Sequence, residues 1–132
     1  MSAIPEQYKD LLTTKKAFAY LSTILKDGSP QVTPVWFDYT DGKIRVNTAR
    51  GRVKSRTLKE GAPVALAITE PENPYRYLQI RGKVIKVTEE GANAHIDSLA
   101  KKYLGVDKYP HAQPGEVRVS AIIEPTSAQA MG

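Results

Sequence analysis

The sequence predicts a mainly β domain in which six or so strands close into a barrel, with a few helices around them. Short runs of alternating apolar and polar residues dominate the first half of the chain and are separated by tight-turn signals. Helical periodicity is confined to the N-terminus and to segments between later strands. Early hairpins followed by interspersed helices fit an antiparallel barrel better than a parallel α/β sheet, and closure removes exposed sheet edges.

The first half of the chain predicts a helix followed by a β-meander. Residues 5–14 carry apolar side chains at helical spacing, with a proline suited to the first turn. Residues 17–24 and 31–39 alternate as strands do, and the Asp-Gly pair between them is a hairpin signal. Pro34 interrupts the second strand, which indicates an edge, a bulge or an amide position without a ladder partner. A second Asp-Gly turn precedes a third strand at residues 43–48.

The second half predicts longer elements. Residues 51–59 have the pattern of a helix, which Gly61 can end in a left-handed conformation. Residues 62–69 are almost continuously apolar, as in a strand buried on both faces. A long strand follows at residues 75–88, where Gly82 indicates a bulge or a barrel corner. The last predicted elements are a helix with one apolar stripe and a short strand, at residues 89–103 and 117–123.

Composition excludes several classes of function. The 132 residues have the size of one domain, which we assign to residues 1–132, and no apolar run approaches the roughly 20 residues that a bilayer requires. The N-terminus lacks the apolar stretch of a secretory signal, so we expect a cytoplasmic protein with no membrane association. The chain has no cysteine, and His95 and His111 lack neighbouring ligands at metal spacing, so we expect no metal site. The net charge of +5 favours an anionic partner.

The most informative segment is a basic run that leaves the third strand, turns at Gly51 and enters the predicted helix. Its cations are Arg50, Arg52, Lys54 and Arg56. Cations at a helix start oppose the helix dipole unless an anion is bound there, and the backbone amides of that turn would add donors to a phosphate. We therefore predict a phosphate-binding segment. The alternatives are a solvated basic face and a nucleic-acid surface, but no recognised nucleic-acid motif accompanies it and we expect no such partner.

The second informative segment is the proline-containing strand at residues 28–36. Gln31 and Thr33 alternate to one side of it, whereas Val32 and Trp36 lie on the other side with Pro34. The break in the strand leaves backbone amides and carbonyls free to meet the polar edge of a planar ring. Trp36 has the alternative role of a core residue, and the predicted backbone role of the strand holds in either case.

Taken in order, these segments resemble the pyridoxamine-phosphate-oxidase-like split-barrel superfamily. The resemblance is narrower to its flavin/deazaflavin oxidoreductases, whose members often use coenzyme F420. It rests on Gly-Ser-Pro-Gln and Pro-Val-Trp within residues 28–36 and on Asn-Thr-Ala-Arg-Gly-Arg-Val-Lys-Ser-Arg-Thr-Leu at residues 47–58, with weaker pieces at residues 72–77, 81–84, 102–105 and 109–110. It implies a six- to seven-stranded antiparallel split β-barrel with flanking helices, assembled as a homodimer with two coenzyme sites at the subunit interface.

The resemblance also implies which residues bind the coenzyme. The phosphate would be held by the basic turn: Arg50, Gly51, Arg52, Lys54, Ser55 and Arg56. The ring would lie against the strand Gln31, Val32, Thr33, Pro34, Val35 and Trp36, with Asn47 and Thr48 beneath it. Tyr77, together with Tyr75 and Arg76, or the loop around Tyr109 would reach across from the partner subunit.

The function implied is hydride transfer between a reduced deazaflavin and a small organic acceptor such as an enone or an activated alkene. The coenzyme carries this chemistry, so no catalytic side chain is identified. Two alternatives remain open: an FMN-dependent oxidoreductase, and a protein that binds a flavin, a deazaflavin or haem without turnover. The sequence ends at Gly132 without the C-terminal extension of the vitamin-converting oxidases, so oxidation of pyridoxamine phosphate is not expected.

Overall fold

The computed structural model describes residues 4–51 and 56–132 and confirms a mainly β fold. Two short helical segments, a 3-10 turn at Glu6–Tyr8 and helix α1 at Asp10–Thr13, open the described chain, and helix α2 spans Ala92–Leu104. The seven strands that the described residues form are β1 (Ala19–Ile24), β2 (Pro30–Val35), β3 (Asp38–Thr40), β4 (Lys43–Ala49), β5 (Pro63–Glu70), β6 (Asn73–Thr88) and β7 (Arg118–Met131).

All the strands belong to one antiparallel sheet in the order β2-β1-β5-β6-β7-β4-β3. Strands β2 and β3 stand at opposite ends of this order, yet only Trp36 and Phe37 separate them in the chain. The sheet must therefore curl until its two ends meet. Within residues 4–51 and 56–132 no ladder joins β2 to β3. The two end strands are connected there only through Trp36 and Phe37, and we call the unpaired gap beside this connection the split.

The single strand predicted at residues 31–39 is wrong, because the chain changes neighbours within it. Strand β2 pairs with β1, whereas β3 pairs with β4. At the change, helix α2 supplies the partners that a ladder would otherwise provide: the Phe37 carbonyl accepts from Lys102 Nζ at 3.0 Å. The Phe37 side chain is fully buried and closes this end of the barrel.

The barrel interior is built by alternation along the strands, since successive side chains point to opposite faces. Helix α1 adds Leu11 and Leu12 to this core. The prediction that β5 is buried on both faces is wrong: Val64, Leu66 and Ile68 point inward, but the alanines between them are half-exposed on the outer face. Small apolar side chains there imitate the pattern of a fully buried strand. The largest buried core side chains from the strands are Leu21, Ile44, Leu66, Ile68, Leu78, Ile80 and Ile123.

Gly82 marks a bulge, as predicted. The register of β6 against β7 shifts between Arg81 and Gly82, and a Cβ added to Gly82 would collide with the carbonyl oxygen of Glu124. The last strand is longer than predicted and runs on to Met131, because it pairs with both halves of β6. Pro125, a typical strand terminator, lies opposite the bulge, where a missing N–H disturbs the ladder least.

Helix α2 confirms the predicted apolar stripe. Ala92, Ile96, Leu99 and Ala100 are buried against the outside of the barrel, next to β7 and β4. The helix ends at Gly105 in the left-handed conformation. Within the described chain, no helix is long and apolar enough to cross a bilayer.

Candidate functional site

The β1–β2 hairpin determines which backbone groups of β2 face the split. The Leu25 N–H donates to the Ser29 carbonyl at 2.8 Å, so these two residues form a hydrogen-bonded pair. Such pairs alternate along an antiparallel ladder. Gln31, Thr33 and Val35 therefore direct their backbone groups at β1, and the residues between them direct theirs at the free edge.

The free edge of β2 carries an unusual set of backbone groups. Pro30 and Pro34 have no N–H, so Val32 supplies the one N–H among the three residues that face this edge. The Val32 N–H and C=O point the same way and form a donor–acceptor pair. This pair is complementary to a planar ring that carries a carbonyl next to an N–H. The backbone groups that the sequence predicted to meet a ring edge are thus the N–H and C=O of Val32.

Two buried polar atoms lie on the inward faces of β2 and β4. Gln31 Oε1 and Thr48 Oγ1 are inaccessible to solvent and make no hydrogen bond to any described residue. Buried polar groups are normally paired, and each one left unpaired costs about 1–3 kcal/mol. Both residues were predicted to contact a ring, and both have bonding capacity left for a ligand.

Asn47 and Thr48 point to opposite faces of β4, so one ring cannot lie against both side chains. Asn47 is used in holding helix α2. Its Nδ2 donates to the Ala92 carbonyl at 2.9 Å, and its Oδ1 accepts from Arg118 Nη1 at 3.2 Å. Of the two predicted residues, Thr48 is the one whose side chain faces the barrel interior.

The basic turn after β4 is described in part. Arg52, Lys54 and Ser55 lie outside the described residues, and Gly51 has φ +90°, which favours glycine. Arg50 Nε forms an exposed ion pair with Glu89 at 3.1 Å. Arg56 lines a groove of about 1070 Å³ between the β1–β2 hairpin and the segment before β5. Two further cations, Lys26 and Lys59, line the same groove, together with Asp27 and Glu60. Arg50 therefore pairs with Glu89, whereas Arg56 lines the groove. Residues 52–55, which lie between them in the sequence, are outside the described part of the chain.

Trp36 belongs to an aromatic cluster that the sequence did not reveal. Its ring stacks on Tyr103 at 5.3 Å and meets Tyr109 edge-on at 6.1 Å. Burial raises the pKa of Tyr103 to about 12, so its hydroxyl remains protonated and donates to the Ala17 carbonyl at 2.6 Å. Trp36 is half-buried, so it keeps part of its surface available beside β2.

A buried polar network fastens helix α2 to the barrel. Asp38 binds Arg45 through two bonds of 2.8 Å, and its Oδ2 lies 3.1 Å from His95 Nε2. His95 Nδ1 lies 2.7 Å from Ser120 Oγ. This order of Ser, His and Asp matches that of hydrolytic triads, but Ser120 and His95 are buried where helix α2 packs on the sheet, and we assign the network a structural role. The sequence offered one signal for this network: His95 is a polar residue within the apolar stripe of α2.

Tyr77 does not join this region within one protomer. It pairs with Met131 near the end of β7, whereas Thr48 pairs with Val119 near its start. Val119 and Met131 are twelve positions apart along β7. Through β5 and β1, Tyr77 lies three strands from β2, level with the C-terminal end of that strand, and a contact with the site from a second copy of the chain stays a prediction.

An apolar patch covers the outer face of the first hairpin. It consists of Tyr20, Ile24, Pro30, Val32 and Pro34, which we call the β1–β2 patch. Tyr20 and Ile24 are each 45% exposed and Val32 is 63% exposed. The patch adjoins the free edge of β2, so a molecule that covers it would also border the split.

Comparison with known proteins identifies relatives across the whole chain. Residues 4–129 match the pyridoxamine 5'-phosphate oxidase family, and no curated protein sequence matches the chain. Among solved structures, an F420 reductase is 31% identical with a TM-score of 0.82, covering 96% of this chain and 98% of that one. A conserved hypothetical protein of Mycobacterium tuberculosis is 22% identical with a TM-score of 0.75, covering 97% and 84%. A FAD- and haem-binding protein of Mycobacterium smegmatis is 20% identical with a TM-score of 0.60, covering 99% and 68%.

Proposed function

Because the chain belongs to the pyridoxamine 5'-phosphate oxidase family, we propose that it is an oxidoreductase that binds a flavin-type coenzyme non-covalently, with coenzyme F420 preferred over FMN. The preference for F420 rests on similarity to the F420 reductase, which extends over nearly the full length of both chains. The likeness to the haem- and FAD-binding protein, at 20% identity, supports the fold alone.

The observation that carries the proposal is the set of unused hydrogen-bonding groups around the split. The Val32 peptide offers a donor and an acceptor side by side, and Gln31 Oε1 and Thr48 Oγ1 are buried without partners among the described residues. A tricyclic flavin or deazaflavin ring has the complementary carbonyl and N–H groups on its pyrimidine edge. When bound, the coenzyme supplies hydride transfer. The protein's contribution is to hold that edge and to keep water away from it.

The phosphate of the coenzyme would be bound by the basic turn. Arg50 and Arg56 flank it, and Arg52, Lys54 and Ser55 complete it in sequence. Arginine forks and a lysine ammonium suit a phosphate, since hydrogen bonds between charged groups are shorter and stronger than neutral ones. The exposed ion pair between Arg50 and Glu89 contributes little, so a phosphate can displace Glu89 at small cost.

The proposed assembly is a homodimer. The β1–β2 patch is an exposed apolar surface beside the free edge of β2, as expected where a second copy covers the coenzyme site. Tyr77 would then enter the site from the partner. The proposed substrate is a small organic hydride acceptor, such as an enone or an activated alkene, stacked on the open face of the ring.

Replacing Val32 by proline tests the contact at the ring edge. Proline is tolerated where the N–H faces away from the ladder, so the variant should fold. It lacks the one N–H that β2 directs at the split, and we expect about tenfold weaker binding of F420 and FMN, the equivalent of one hydrogen bond. Coenzyme fluorescence titration measures the change. Val32→Ala, which keeps the N–H, is the control. Equal affinity of the proline and alanine variants would contradict the predicted contact.

The double replacement Arg52→Ala and Lys54→Ala tests the phosphate contact. Each lost bond to a charged group is worth about 1.5–3 kcal/mol, so we expect at least a hundredfold weaker binding of the coenzyme. Titrations of F420 and FMN at two salt concentrations measure the change, with circular dichroism as the check on folding. A control that removes two exposed lysines elsewhere, Lys83→Ala with Lys101→Ala, should bind as the wild type does. An unchanged affinity in the folded Arg52/Lys54 variant would refute the basic turn as the phosphate site.

A further inference from the structure

A cavity of about 330 Å³ lies between the first half of helix α2 and the loop that precedes β7. No residue of β2 or β4 lines it, although its wall residue Tyr109 contacts Trp36. Arg118, which contributes to its wall, pairs in register with Ala49 and bonds Asn47, so its side chain lies on the outer face of the sheet. Thr48 points to the opposite face, into the barrel. A ligand in this cavity would not touch the inward-facing groups proposed to hold a coenzyme.

The cavity wall contains a buried cation with one bonding position left over. The Arg118 side chain is 5% exposed, its Nε pairs with Glu116 Oε1 at 3.0 Å, and its guanidinium lies 4.8 Å from the centre of the Tyr109 ring. Its Nη1 donates to Asn47, but its Nη2 finds no acceptor among the described residues. A buried guanidinium N–H is stabilised when an oxygen is brought to it.

The acidic side chains of the cavity are already engaged. Glu116 accepts from Arg118, and Asp97 Oδ1 accepts from the Tyr109 backbone N–H at 2.9 Å. Lys108 adds a second cation to the wall. The two cations and the two carboxylates of the wall balance in charge, so the selective feature is the open Nη2 donor of Arg118, which favours an acceptor oxygen such as that of a carboxylate.

We propose that this cavity binds a small molecule that carries a carboxylate. The carboxylate accepts from Arg118 Nη2, and an apolar body packs against Ile96 and Ala112 at the wall. The volume is near the lower end of the range of ligand pockets. At about 30 Å³ for each water-sized group, it admits roughly ten non-hydrogen atoms, about the size of an aromatic monocarboxylate.

Benzoate is the probe for this site. Titrated into the ¹⁵N-labelled protein, it is expected to shift the backbone amide resonances of residues 93–97 and 108–118, with saturation in the millimolar range. Benzyl alcohol has the same shape without the charge and should bind about tenfold more weakly. Saturating FMN should leave the benzoate shifts in place. Equal binding of the two probes, benzoate shifts confined to other parts of the chain, or displacement of benzoate by FMN would overturn the proposal.

Two variants locate the binding. Arg118→Lys keeps the charge but removes Nη2, and we expect about tenfold weaker benzoate binding. Arg81 is exposed on β6, so Arg81→Lys should leave benzoate binding unchanged. Ala112→Trp fills the cavity from an exposed loop position and leaves Arg118 in the chain, so it is independent of any folding defect that Arg118→Lys introduces. Loss of the benzoate shifts in the Ala112→Trp protein supports the site. Benzoate shifts that persist unchanged in this protein refute it.

Discussion

Replacing Asp38 by alanine is expected to lower the free energy of unfolding by about 3 kcal/mol, the lower end of the range for buried ion pairs, because its pair with Arg45 is only half-buried. The carboxylate binds Arg45 through two bonds and faces His95, whose side chain is 1% exposed. Without Asp38, the arginine loses its partner and the histidine keeps a buried ring nitrogen beside an empty space. Urea denaturation monitored by tryptophan fluorescence measures the loss.

A second Asp–Arg pair in the same chain provides the control. Asp10 also binds an arginine through two bonds, to Arg76 at 2.8 and 3.0 Å, but no buried histidine completes that pair. Asp10→Ala should therefore cost clearly less than Asp38→Ala, and equal losses would contradict the importance of the His95 contact. The same bonds show that Arg76, predicted to reach across to a partner, is occupied within its own chain.

The contribution of Asp38 should also depend on pH. Burial alone would raise the pKa of the Asp38 carboxyl, but its bonds to His95 and Arg45 outweigh burial and hold the pKa below the ordinary value of 3.8. Stability from such a group is present above the pKa of the unfolded chain and is lost as the pH falls through the lower pKa of the folded state. The difference in stability between wild type and Asp38→Asn should therefore shrink as the pH falls below 3.8. A difference that grows on acidification would contradict this account.

Gly82→Ala is expected to destabilise the protein by about 3 kcal/mol, at the upper end of ordinary overpacking. The new methyl group would meet the Glu124 carbonyl oxygen, a backbone atom held in the β6–β7 ladder, so neither side can move without disturbing the bulge. Gly61→Ala is the matched control. Its methyl group would enter open space, so the expected loss of stability is only that of placing alanine at φ +87°, about 1 kcal/mol. If both variants unfold at the same urea concentration, the close approach at the bulge does not contribute to the free energy of unfolding, and the prediction is wrong.

The sequence predicted those features that neighbouring residues encode. The Asp41-Gly42 turn, with φ of +54° and +75°, the apolar stripe of α2 and the bulge at Gly82 all follow from local backbone and side-chain chemistry. The break at Trp36 was missed because it depends on which strand lies alongside, and that choice is made by distant parts of the chain.

The site was predictable to the same degree. The period of 2 along β2 correctly separated Gln31 from Val32, and an edge was one of the three interpretations that Pro34 left open. The opposite orientations of Asn47 and Thr48 follow from the same period, but the use of Asn47 in anchoring α2 could not be foreseen. That anchor depends on Ala92 and Arg118, which are 45 and 71 residues away along the chain.

The place of β7 in the sheet has a consequence for how the protein is made. Strand β7 is the only described strand that joins β6 to β4, and it follows the other strands in the chain. Until the ribosome has released residues 118–131, the nascent polypeptide can assemble two separate pieces, β2-β1-β5-β6 and β4-β3, with no shared ladder. Closure must then wait for the end of this segment's synthesis, and long-range pairing of this kind is slow. During that interval the unpaired margins of β6 and β4 are surfaces that a chaperone would have to shield from other nascent chains.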